Sequence, residues 1–223
     1  MKTFRELFER LDKTSRTSEK VGHLETYFRA APSEDAAWAL YFLLGNRLRR
    51  AVKAGQLREW SAEFVGQPLW MVEACYETVG DLAETLALLM PDKTDSKELS
   101  LATLVLERLQ PLAGASPLRQ REILRQTWSE LGSEEVFLWH KLITGGFRVG
   151  VAKGLVIRAL SNVAAVEESV IATRLAGHWE PSASAFKALL GGTAGSDAAS
   201  KPYPFFLASP LEAACDALGD CND

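Results

Sequence analysis

The chain has 223 residues, of which 47% are apolar, and its formal net charge is −4. The apolar fraction supports a hydrophobic core and excludes global disorder. The negative total argues weakly against a nucleic-acid binder, although the distribution of charge matters more than its sum. Three cysteines without a C-x-x-C pair exclude a disulfide framework and a zinc site of that kind, which fits a reducing, cytoplasmic setting.

No uncharged apolar stretch approaches the roughly 20 residues that a membrane helix needs, so no membrane partner is expected. The first helix is predicted from the i, i+3, i+4, i+7 spacing of apolar residues in 4–11. Ser33 is expected to cap a further helix that Gly45 ends, and Pro68 suits the first turn of the next one.

A capping box is predicted where Asp81 is followed by Glu84, at the start of a helix that reaches Leu89. The polar stretch 91–98 is interpreted as a loop between two halves. Beyond it the expected N-caps are Ser116 and Ser133. The predicted helices of the second half are 99–112, 117–131, 133–142, 151–163, 166–175 and 184–190.

The composition changes near residue 190. The segment GGTAGSDAAS (191–200) is typical of a flexible linker, and KPYPFFLASPLE (201–212) indicates an extended chain. The predicted organisation is an all-α, single multi-helix domain over 1–190, a linker over 191–202, and an extended tail over 203–223 that would open an absent domain.

The segment LWHKLITGGFRVGVAKGLVIRAL (138–160) carries the strongest functional signal. From Lys141 to Leu160 it holds four basic residues and no acidic one. Its glycines let the backbone approach another surface, and the helix after Gly150 would point free N–H groups and its positive dipole end outward. These features predict a phosphate site, and the alternative is a plain helix-turn-helix corner.

Two further segments carry weaker signals. The stretch GNRLRRAVKAGQLR (45–58) contains five basic residues and no carboxylate, so it is either a phosphate-tracking patch or a solvated charged face. In YETVGDLAETLALL (76–89), Gly80 precedes a helix N-terminus as Gly150 does. The alternative is that the glycine and the capping Asp only mark the boundary between two helices, as they commonly do.

The three histidines lack metal spacing, and the six tryptophans are expected mostly in the core.

Together these segments resemble the DNA-binding domain of ATP-dependent DNA ligases of the bacterial three-domain type. Residues 138–163 are similar to its glycine-turn stretch, 76–89 to the matching stretch of its first half, and 201–212 to the link into the adenylation domain. The resemblance implies two roughly pseudo-two-fold-related halves that grip the minor groove of nicked duplex DNA without sequence preference.

The resemblance also implies which residues contact DNA. Arg148 and Lys153 are the expected side-chain contacts to phosphate, and the glycines admit the backbone to the groove. The implied residues are Gly80, Asp81, Leu82, Ala83 and Thr85 in one set, Gly145, Gly146, Arg148, Gly150, Val151 and Lys153 in the other, and Arg47, Arg49, Arg50 and Lys53 as an accessory patch.

The family's nucleophilic lysine lies in a K-x-D-G motif, which these 223 residues do not contain. The fragment is therefore expected to be inactive alone and to need no cofactor. ATP and Mg²⁺ would serve the whole enzyme, in replication, repair or recombination. The expected partners are nicked DNA and the ligase's own adenylation and OB-fold domains, and the expected state is a monomer. Two other hypotheses are a helical protein-interaction scaffold and a self-contained enzyme with a deep, titratable pocket.

Overall fold

Helices form all the regular secondary structure of the residues that the computed structural model describes, which are 1–49, 51–91, 93, 97–147, 149–176 and 179–191. The predicted all-α class is confirmed. The helices of the first half are α1 (Lys2–Lys13), α2 (Thr17–Ala30), α3 (Ser33–Leu43), α4 (Ala54–Val65), α5 (Leu69–Val79) and α6 (Leu82–Leu89). The helices of the second half are α7 (Leu101–Thr103, Leu104–Leu109 and Gln110–Leu112), α8 (Pro117–Glu130), α9 (Ser133–Thr144), α10 (Lys153–Ala164), α11 (Glu168–Arg174) and α12 (Ala183–Gly191).

Helix α7 is one continuous helical run with a wide π-helical middle, Leu104–Leu109. Pro111 explains the departure from regular α-helix, because it has no N–H to donate and its ring crowds the carbonyl of the preceding turn. The Gln110 amide accordingly reaches back five residues, to the carbonyl of Val105. The sequence predicted this helix but not its widened turn.

Two of the four predicted caps are confirmed. The Asp81 carboxylate accepts a hydrogen bond from the Glu84 amide at 3.1 Å, and the Ser116 hydroxyl accepts one from Arg119 at 3.3 Å. Ser33 and Ser133 are not caps, since each is the first residue of its helix and the residue before it takes the cap position. At α9 the Glu135 carboxylate instead accepts from the Gly132 amide at 3.0 Å.

The helices pack in two groups around the strongest pairings, α6 with α9 and α2 with α10. Helices α4 and α5 belong to the first group, and α1, α3, α11 and α12 lie in the second. Helix α7 contacts α3 and α8. Helix α9 also contacts α1, and α10 also contacts α3. The chain between α9 and α10 therefore passes from one group to the other. A pseudo-two-fold relation between the groups stays a prediction.

Most of the described tryptophans are in the core, as expected. Trp128 and Trp139 are almost fully buried, whereas Trp70 is 70% exposed and is the exception. Trp128 donates its indole N–H to Nε2 of His140 at 2.8 Å. Because Nε2 accepts, the proton of the neutral imidazole lies on Nδ1. Complete burial lowers the pKa of His140 to about 3.

In the described part of the chain, no helix has the length and apolar character to span a bilayer. The predicted linker begins within α12, whose last residue is Gly191, and the remainder of the linker and the tail over 203–223 lie outside the described residues.

The His140 burial generates a pH prediction. Its folded-state pKa lies below the unfolded value, so below about pH 6.5 the unfolded chain binds a proton that the folded chain does not. The free energy of unfolding should therefore fall by about 1.4 kcal/mol per pH unit near pH 5 on this account, and His140→Gln should remove that slope. Urea unfolding followed by tryptophan fluorescence at pH 7.5, 6 and 5 measures it, and an unchanged slope in the variant would contradict it.

Candidate nucleic-acid interface

The turn between α9 and α10 places glycine backbone on the surface. Gly145 ends α9 with φ +70°, and Gly150 has φ +56°, both in the left-handed region that favours glycine. Gly146 and Gly150 are exposed. A ligand can therefore approach the main chain of this turn closely.

The same turn is anchored to the core from beneath. The Phe147 ring lies 5.5 Å from that of Phe4, with an interplanar angle of 22°, and Val149 is buried. The Lys20 side chain, itself buried, donates from Nζ to the Gly150 carbonyl at 2.8 Å. These contacts of Phe147, Val149 and Lys20 with the core fix the exposed glycines in place.

The N-terminus of α10 opens towards solvent. Its N-cap is Ala152, which has no side-chain acceptor for the first amides of the helix. Ala152, Lys153 and Gly154 are exposed, whereas Val151 is half-buried. The positive end of the helix and the Lys153 side chain are therefore both available to an anion.

The turn between α5 and α6 is built differently. Gly80 is exposed, with φ +79°, and Asp81 caps α6 with its own carboxylate. Leu82 is half-buried, but Ala83 and Thr85 are 2% and 1% exposed. The Thr85 hydroxyl donates to the Asp81 carbonyl at 2.7 Å. The side chains of Ala83 and Thr85 are thus buried beneath the turn. The residues of the turn that solvent reaches are Gly80 and, in part, Asp81.

Lys141 connects the two turns. It lies on α9, and its Nζ is 2.5 Å from Oδ2 of Asp81. Burial by itself would raise the pKa of the Asp81 carboxyl, but the hydrogen bonds from Lys141 and from the Glu84 amide outweigh it and hold that pKa below its usual range. The Asp81 carboxyl is therefore ionised at neutral pH.

The basic segment 45–58 reaches the glycine turn through Arg47. A methyl group built on Gly145 would lie 3.6 Å from Cδ of Arg47, so the arginine side chain runs across that glycine. Tyr41 holds this stretch by donating its hydroxyl to the Arg47 carbonyl at 3.2 Å. Arg49 and Lys53 are exposed. The predicted residues Arg50 and Arg148 lie outside the described residues.

Sequence reasoning did not assign the roles of Lys20 and Lys141. Lys141 was counted only as one of the basic residues of its segment, and nothing local distinguishes Lys20 from other charged helix residues. Both bind partners far along the chain, 130 and 60 residues away. No group of three or more potential metal ligands occurs among the described residues.

The geometry of the turn predicts opposite effects at two neighbouring glycines. Gly150→Ala places a methyl group at positive φ and 3.4 Å from Lys20 Nζ, and should lower the free energy of unfolding by about 1 kcal/mol or more. Gly154→Ala is the matched control, because it adds a methyl to an exposed helical position with open space and should be neutral or stabilise by about 0.5 kcal/mol. Urea denaturation measures the free energy of unfolding of both variants. Equal changes would contradict the conclusion that Gly150, unlike Gly154, is required by its backbone conformation.

Comparison with known proteins gives the family. A profile described as DNA ligase N terminus matches residues 1–161, which include every predicted site residue. A protein called DNA ligase from Cenarchaeum symbiosum (strain A) is 27% identical over 168 residues. That alignment covers 69% of this chain and 28% of the relative, so the chain spans about a quarter of the relative's length. The family match covers well over half of the chain, and the chain belongs to the DNA ligase N-terminus family.

Proposed function

We propose that this chain is the DNA-binding domain of an ATP-dependent DNA ligase and holds nicked duplex DNA along the phosphates of the minor groove. The observation that carries the proposal is the convergence of basic side chains from two separate segments, 45–58 and 138–160, on the glycine turn. Arg47 lies across Gly145, and Lys153 opens α10 at the end of the same turn. In an acidic protein this is a local concentration of positive charge beside exposed glycine backbone.

The chemistry of this surface suits a phosphate backbone. Glycine backbone, a helix N-terminus and basic side chains all bind phosphate oxygens, and none of them distinguishes one base from another. Binding of this kind depends on duplex shape and charge, so it serves nick sealing at any sequence. Arg148 and Arg50 join this set as predictions from sequence alone.

The chain's part in the whole enzyme is to hold DNA. Adenylation by ATP and Mg²⁺ requires the K-x-D-G lysine, which is not among these residues, so the adenylation and OB-fold domains are the proposed partners for chemistry. In this scheme the fragment neither reacts with ATP nor seals a nick alone.

A protein-docking role is the second candidate, and one observation favours it. Leu69, Trp70 and Met71 open α5 as a run of exposed apolar side chains, with Trp70 70% exposed. Such a run is typical of a surface that a protein partner covers.

The DNA-binding proposal predicts salt-sensitive, sequence-independent binding. Fluorescence anisotropy with two labelled nicked duplexes of unrelated sequence should give equal affinities that fall steeply between about 50 mM and about 200 mM salt. Arg47→Ala and Lys153→Ala should each weaken binding and reduce the slope of log K against log salt by about 1, since each loses a phosphate contact.

Arg119→Ala is the matched control, because it removes an exposed arginine that lies outside the segments 45–58, 76–89 and 138–160. The Arg119 side chain pairs with Glu122 at 3.0 Å. It should retain nearly all of the affinity. Absence of binding at low salt, or equal losses in all three variants, would contradict the proposed interface and favour the docking role.

A further inference from the structure

Lys141 lies between the two turns and is not among the DNA-contacting residues that the family resemblance implies. Its side chain passes beside Gly146, where a methyl group on the glycine would lie 3.6 Å from Cδ of Lys141. Its ammonium lies 5.2 Å from the centre of the Phe137 ring and 2.5 Å from the Asp81 carboxylate. The lysine is thus adjacent to the exposed main chain of the glycine turn, while its charge is directed to the opposite turn.

Asp81 takes up two groups that would otherwise bind an incoming anion. Its Oδ1 accepts the Glu84 amide at the start of α6, and its Oδ2 accepts from Lys141. An ammonium and a helix-terminal amide are the donors that a phosphate group uses in proteins. In the free protein an internal carboxylate therefore satisfies them. The side chains of Asp81 and Lys141 are 39% and 16% exposed, so the pair lies at the surface.

We propose that Lys141 is a further phosphate-contacting residue, and that Asp81 is its internal counter-ion, which the DNA backbone displaces on binding. The inference rests on the proposed function, because it requires DNA to reach the glycine turn. A phosphate that contacts the backbone at Gly146 lies alongside the Lys141 side chain. The ammonium then exchanges a carboxylate oxygen for a phosphate oxygen, and binding is weaker by the strength of the ion pair that is broken.

This exchange makes Asp81 an antagonist of DNA binding. A purely structural ion pair would make the opposite prediction, since breaking it would loosen the two turns and weaken binding. The two accounts therefore differ in the sign of a single substitution, Asp81→Asn. Asparagine keeps the cap of α6, because its side-chain oxygen can still accept the Glu84 amide.

The test is a double-mutant cycle on the 223-residue chain with a labelled nicked duplex at low salt. Asp81→Asn should tighten binding about two- to fivefold, the equivalent of an exposed ion pair. Lys141→Met should weaken binding, and the double variant should show none of the gain from Asp81→Asn. Glu84→Gln is the matched control, as it removes an exposed carboxylate from the same turn of α6 without releasing Lys141.

Each outcome decides between the accounts. A gain in Asp81→Asn that exceeds that of Glu84→Gln and requires Lys141 supports the proposal. Weaker binding by a folded Asp81→Asn, a gain from Glu84→Gln alone that equals the gain from Asp81→Asn, or an undiminished gain from Asp81→Asn when Lys141 is Met overturns it. Asp81→Ser, which also retains a cap, repeats the test if the asparagine variant unfolds. Failure of the wild-type chain to bind DNA would instead overturn the proposed function, so the two failures are distinct.

Discussion

The proposed DNA interface depends on how the described residues of the turn between α9 and α10 are fixed. Phe147 and Val149 are directed into the core, and the buried Lys20 ammonium donates to the Gly150 carbonyl. A turn with exposed glycines loses much conformational entropy on ordering, so it needs such anchors to present its amides in one arrangement. Because these anchors hold the described residues of the turn without a ligand, binding need not supply that free energy for them.

Helix α9 carries the second constraint through two adjacent residues. His140 is fully buried against Trp128, whereas Lys141 reaches the surface and bonds Asp81. One residue therefore fixes the helix within the core of its group, and the next connects its end to the start of α6. The core contact and the surface ion pair are thus made by neighbouring residues of one helix. Together they position the two turns relative to one another.

The sequence predicts what depends on local pattern. Helical periodicity, the Asp81 cap and the glycine that follows α3 are set by residues close together in the chain. The bonds of Lys20 to Gly150 and of Lys141 to Asp81 join residues far apart, so no spacing reveals them. Ser33 and Ser133 show the same limit, because the residues before them took the cap position. The tryptophans were expected mostly in the core, and Trp70 is the exposed exception, since apolar periodicity cannot tell which face of α5 another helix covers.

The proposed DNA-binding surface consists of the glycine backbone of the two turns, aided by basic side chains. Backbone amide NMR of the labelled chain, titrated with nicked duplex, tests this most directly because it reports on the main chain of those turns. The account predicts the largest shift changes at Gly80, Gly145, Gly146, Gly150 and Lys153. Changes concentrated instead around Leu69, Trp70 and Met71, with the glycine amides unmoved, would contradict it.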